Sequence, residues 1–118
     1  MYSRTDLLPE AQEALDRVWF VQRVEEVERT DLTVSLRLYI RHDLFVQVFL
    51  GEWSGSLYFA LIEGRRRIFG IDQEAGEWHL HPYDAPNEHQ PLPEGLEAKP
   101  LLRFLAWVED LLLAHNLL

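Results

Sequence analysis

The chemistry-bearing residues are concentrated in one stretch, Trp78-His79-Leu80-His81-Pro82-Tyr83-Asp84-Ala85-Pro86-Asn87-Glu88-His89, which holds three of the five histidines. Alternate residues of a strand share a face, so a strand here points His79 and His81 one way and Trp78 and Leu80 the other. Pro82 stops the ladder and leaves the pair at a strand end, where a scaffold presents side chains to solvent. Pairing Ile71 with Trp78 and Phe69 with Leu80 groups apolar residues. It also sets His79 across from Gly70, His81 across from Ile68, and Arg66 diagonal to His81. A slip of one residue would reverse every facing.

Two imidazoles, the Arg66 guanidinium and the Asp84 carboxylate suit metal-free phosphodiester cleavage. One histidine would deprotonate a ribose 2′-hydroxyl and the other would protonate the leaving oxygen. Arg66 would stabilise charge building on phosphorus, with Arg65 and Arg67 as flanking binding groups. This chemistry needs no cofactor. His79-x-His81 with Asp84 or His89 also supplies ligand types that Zn²⁺ accepts, without naming a metal. A purely structural account covers the same residues: histidines at a strand end, Asp84 bracing a turn, and Arg65-Arg66-Arg67 as a solvated edge that opposes aggregation.

The elements that must position these groups follow from periodicity. Residues 5–18 predict a helix, with Leu7, Ala11, Ala14, Leu15 and Val18 on one stripe and Thr5 or Asp6 as cap. From Trp19 the period changes to two. Strands are predicted over 19–29, 33–40, 44–50, 57–62, 66–71 and 77–81, with Asp72 to Gly76 as a turn. Connections this short make neighbours antiparallel. Residues 82–100 carry five of the six prolines and predict an irregular excursion. A last helix runs from Pro100 to the C-terminus. Its core stripe is Leu101, Phe104, Leu105, Val108, Leu111 and Leu112; a second apolar arc is Leu102, Ala106, Leu113 and Leu117. The expectation is a single α+β domain over 1–118: an antiparallel meander of five or six strands with N- and C-terminal helices packed on it. The second arc calls for another covering element, a second copy in a homodimer, or a partner protein docked on the C-terminal helix.

The chain has 118 residues and no cysteine, which removes disulfides, thiolate catalysis and cysteine-held metals. Its net charge of −9 is uneven, with −3 over 1–30, +1 over 31–70 and −7 over 71–118. That field opposes broad coating of nucleic acid, while a small arginine patch still permits local recognition of RNA. No apolar run approaches the ~20 residues that span a bilayer, and the start lacks a signal-peptide pattern, so a cytoplasmic address and no membrane partner are expected. Ser54 and Ser56 lack a nucleophile motif, and Gly51 to Gly55 lacks the lysine and helix of a phosphate loop. Trp53 suits either an exposed recognition aromatic or a loop anchor. His42 beside Asp43 reads as turn chemistry, and His115 as a helix-end cation.

Arg67-Ile68-Phe69-Gly70-Ile71-Asp72, then Trp78-His79-x-His81-Pro82-Tyr83-Asp84-x-Pro86 and His89, resembles the TumE family of small toxin–antitoxin proteins. The resemblance covers roughly residues 57–113. It implies a toxin directed at RNA and neutralised by an antitoxin partner, with Asp72, His79, His81, Asp84 and His89 as functional positions. The chain departs from the pattern at Gln73, where Asn is expected after the Asp, and in the spacing of its histidines.

Overall fold

The computed structural model describes residues 2–118. Helix α1 spans Arg4–Arg17. Strands β1 (Arg23–Arg29), β2 (Thr33–Arg41), β3 (Leu44–Gly51), β4 (Ser56–Glu63), β5 (Arg66–Glu74), β6 (Glu77–His81) and β7 (Gln90–Pro91) follow, and helix α2 spans Pro100–Ala114. The strands form one antiparallel sheet in chain order. The α+β class and the terminal helices are as the sequence predicts, with one more strand than expected.

Alternation builds the sheet. Val34, Leu36 and Leu38 of β2, Leu44, Val46, Val48 and Leu50 of β3, and Leu57, Phe59 and Leu61 of β4 are all buried in one apolar cluster. Both helices add to that cluster, α1 through Leu7, Ala11 and Ala14 and α2 through Leu101, Phe104, Leu105, Val108 and Leu112. Phe104 stacks on Phe59 and Phe69 with ring centroids 5.2 and 5.5 Å apart. The opposite sheet face carries Arg37, Tyr39, Phe45, Gln47, Phe49 and Tyr58. There the guanidinium of Arg23 covers the Tyr39 ring at 3.8 Å.

Two expectations need correction. Residues 19–22 are not strand: Val21 N–H donates back to the Val18 carbonyl at 3.0 Å, so the chain turns before β1 begins. The first strand therefore starts at Arg23. The last helix ends at Ala114, because Asn116 turns left-handed (φ 54°) and Leu117 N–H bonds back to the Leu112 carbonyl at 3.1 Å. Helix α1 is the covering element at the start of the second apolar arc, where Glu10 bonds Leu102 N–H and Leu102 is half-buried; Leu117 is half-buried as well, and Ala106 and Leu113 stay exposed. Trp53 is 86% exposed on its loop and anchors nothing.

The two helices are tied by a buried acid. Helix α2 opens without a side-chain cap and with Lys99, a cation, at its positive end. Glu10 of α1, 6% exposed, corrects both faults. It accepts from Leu102 N–H at 2.8 Å and from the Tyr2 hydroxyl at 2.6 Å, while Lys99 Nζ turns away to Glu13 at 2.8 Å. Burial and the neighbouring Glu10 carboxylate hold the Tyr2 phenol well above its ordinary value of 10.0. The unfolded phenol ionises above pH 10 while the folded one does not, so this contribution is complete below pH 10 and is lost as pH rises past it. In urea unfolding, Glu10→Ala is expected to cost about 2 kcal/mol and Tyr2→Phe about 1 kcal/mol. Tyr2→Phe should also lose less stability than the native chain between neutral and strongly alkaline pH.

Candidate functional site

The β5–β6 hairpin turns on Ala75 and Gly76, both with positive φ (52° and 82°), a two-residue connection whose twist matches the strands. Strand β5 therefore runs on to Glu74. The pairing is Gly70 with His81, Ile71 with Leu80, Asp72 with His79 and Gln73 with Trp78. This is two residues away from the predicted register. An even shift preserves facing, so His79 and His81 share a face as expected, but it replaces their partners. Asp72, not Gly70, lies across from His79.

A second irregularity decides which arginine joins them. Leu61 pairs with Phe69 while Ile62 pairs with Arg67, so Ile68 is an extra residue in β5. The bulge lets both Ile68 and Phe69 enter the apolar core. It also reverses the parity of what precedes it, bringing Arg67 rather than Arg66 onto the histidine face. Gly70 sits between: a Cβ there would lie 3.4 Å from Arg67 Cδ, 3.7 Å from His81 Cδ2 and 3.1 Å from the Phe59 carbonyl oxygen. Arg66 is exposed and pairs in the ladder with Glu63, so the predicted Arg66–His81 diagonal does not form.

Asp72 is the centre of the cluster, 7% exposed. Its Oδ2 lies 2.7 Å from His81 Nε2, and Oδ1 lies 3.6 Å from His79 Nδ1. The other His81 nitrogen, Nδ1, meets the Glu88 carbonyl at 3.1 Å. Both His81 partners are thus acceptors in their ordinary states. Either the ring carries hydrogen on both nitrogens, or Asp72 carries the one it shares with Nε2. At 3.6 Å the second contact is too long for a hydrogen bond. Asp72 Oδ1 and His79 Nδ1 are accordingly buried without a hydrogen-bond partner among the described residues.

The excursion after Pro82 brings the third histidine. Turns closed by Ala85 N–H to the Pro82 carbonyl (3.2 Å) and Glu88 N–H to the Ala85 carbonyl (2.9 Å) fold it back. Gln90 and Pro91 then pair with Leu80 and His79 as β7. A proline is tolerated there because β7 is an edge. The exposed His89 ring stacks on His79 (centroids 4.2 Å apart, 20° between planes) and lies against His81 (4.8 Å). Asp72, His81 and His89 each offer a ligand atom within 4.8 Å of the others. Arg67 Nη2 holds the same excursion by donating to the Pro86 carbonyl at 2.8 Å.

Of the predicted site residues, the structure brings together His79, His81, Asp72 and His89, with Arg67 beside them. Asp84 is exposed on the turn and outside the cluster, and Arg65 and Arg66 stand at the β4–β5 turn. His115 sits at the end of α2, as expected, and also stacks on Tyr83 at 4.1 Å. The sequence reading missed Gly70 and the carbonyls of Pro86 and Glu88, which bear no side-chain signature. One readable signal was a lone acid, Asp72, inside the otherwise apolar run of β5.

The chain matches no protein-family model, no curated protein and no solved structure. In urea unfolding, Asp72→Ala is expected to cost about 2–4 kcal/mol, because it strands His81 Nε2 in a buried setting. His89→Ala, at an exposed ring, should stay within about 0.5 kcal/mol of the native chain.

Proposed function

We propose that this protein binds a divalent transition-metal ion, Zn²⁺ in the first instance, through Asp72, His79 and His89. The observation that carries this reading is the orphaned pair Asp72 Oδ1 and His79 Nδ1, both buried and 3.6 Å apart. A hydrogen bond would have closed to about 2.7–3.2 Å. Two ligands of a tetrahedral ion held at about 2.0–2.1 Å stand roughly 3.3 Å apart, close to the spacing of this pair. Imidazole nitrogen and carboxylate oxygen are donors that Zn²⁺ accepts, and a chain without cysteine leaves no thiolate to compete.

His81 is assigned a supporting role. It can ligate only by giving up its bond to Asp72 or its contact with the Glu88 carbonyl, whereas keeping both fixes the carboxylate and the returning chain. His89, stacked on His79 at the exposed rim, becomes the third donor by turning its ring edge toward the ion, and three protein ligands leave a fourth position for water. Titration calorimetry of the chelator-treated chain with Zn²⁺ should show one equivalent bound. Asp72→Asn and His79→Ala should weaken that binding at least tenfold, and His115→Ala should not. A native chain that takes up no stoichiometric Zn²⁺, or a His79→Ala variant that binds as tightly, overturns the reading.

A narrower reading on the same groups is the RNA-directed toxin that the TumE resemblance implies. It is favoured by Arg67, whose side chain lies beside His81 over Gly70. In a metal-free version the acid and base are His79 and His89, since both nitrogens of His81 are engaged. The antitoxin, or a second copy of the chain, would dock on α2, where Leu113 is 65% exposed. Labelled single-stranded RNA should be cleaved by the native chain and spared by His89→Ala at unchanged melting temperature. RNA left intact by the native chain with and without Zn²⁺ rejects this reading.

A further inference from the structure

A cleft of about 580 Å³ opens between the β4–β5 turn and the excursion after Pro82, lined by Arg65, Arg66, Arg67, Tyr83, Asp84 and Asn87 among others. Three consecutive arginines line one space here, in a chain whose net charge is −9. Arg4, Arg17, Arg29 and Arg41 have carboxylate partners, as Arg4 does in Glu52 at 3.2 Å, while Arg23 and Arg37 lie over the rings of Tyr39 and Phe45 and Arg103 bonds the Glu97 carbonyl at 3.1 Å. Among the described residues, none of the three in the cleft has a carboxylate within 4.0 Å. Glu63, the ladder partner of Arg66, sends its carboxylate to Arg41 at 3.5 Å instead. Asp84 lies on the rim and pairs with none of them, so the cleft holds a net excess of positive charge.

We propose that this cleft binds the phosphate group of a nucleotide-sized phosphate ester. Neighbouring guanidiniums repel one another, and a polyoxygen anion relieves that repulsion while matching their planar forks with paired hydrogen bonds. One arginine is already aimed: the bond from Arg67 to the Pro86 carbonyl holds its guanidinium against the excursion that forms the far wall. The cleft is larger than a phosphate alone. Its remaining walls are the Tyr83 ring, fixed by stacking on His115 at 4.1 Å, and the Asn87 amide, surfaces suited to an organic moiety.

This inference deepens the reading of the Asp72 site, on which it rests through Arg67, a residue that lines the cleft and also lies with His81 beside Gly70. Binding in the cleft requires no cation, so the two can fail separately. The chelator-treated chain is titrated by calorimetry with AMP, inorganic phosphate and adenosine. AMP should bind, inorganic phosphate more weakly, and adenosine not at all. Arg65→Ala/Arg66→Ala should weaken AMP at least tenfold, Arg67→Lys several-fold, and Arg103→Ala not at all. Absence of AMP binding, equal binding of adenosine, or an unchanged double variant overturns the proposal. Inorganic phosphate binding as tightly as AMP overturns the ester assignment, leaving a free-anion site. AMP binding retained in a chain that takes no Zn²⁺ sinks the metal reading alone.

Discussion

A carboxylate taken out of water must be matched by a donor or a cation, and Asp72 is such a carboxylate. Its partners are reachable in only one hairpin register, the one that lays His79 across from it and His81 on the adjacent pair. His81 in turn bonds the Glu88 carbonyl, which fixes the returning chain and sets His89 over both rings. Arg67 makes a parallel tie to Pro86. A proline-rich segment without regular structure is thereby held at two points by β5 and β6, and the candidate site is the product of that fastening.

The sheet separates the work of its two faces. One face is sealed by α1 and α2 over a continuous apolar core, and the helices are locked together by Glu10 reaching the start of α2. Polar groups on that side are few and individually satisfied. The other face receives no helix, so Tyr39 and Phe45 lie under the guanidiniums of Arg23 and Arg37, Phe49 packs on Tyr58, and the acid is covered by histidines. The bulge at Ile68 links the two. By sending two successive side chains into the core it changes which arginine meets the histidines.

Most of the architecture was legible because it depends on periods of two and 3.6. The alternation of Val34 to Ile40 and Leu44 to Leu50 located β2 and β3, and the stripe from Leu101 to Leu112 located α2. The shared face of His79 and His81 was legible for the same reason, and it survived a register error of two residues because two is the strand period. The partners were not legible. Ala75-Gly76 lacks the Asn or Asp that marks a tight hairpin, since alanine pays a steric cost at positive φ, so the turn was read as five residues. A bulge carries no pattern when Arg65-Arg66-Arg67 precedes Ile68-Phe69 and three like residues disguise parity. Strand β7 is two residues long and exists through its pairing with β6, so no periodicity announces it.

The two ends of the sheet are closed by different chemistry. At one end β7 offers only a dipeptide, one residue of which is a proline without an amide hydrogen to donate. At the other, β1 presents Glu25, Glu26 and Glu28 in the open, with the ladder broken by an irregularity between Glu26 and Glu28. A further strand arriving at either border meets a missing donor or a row of like charge. Seven strands are therefore a terminus as well as a count: both borders of the sheet oppose the addition of a further strand edge to edge.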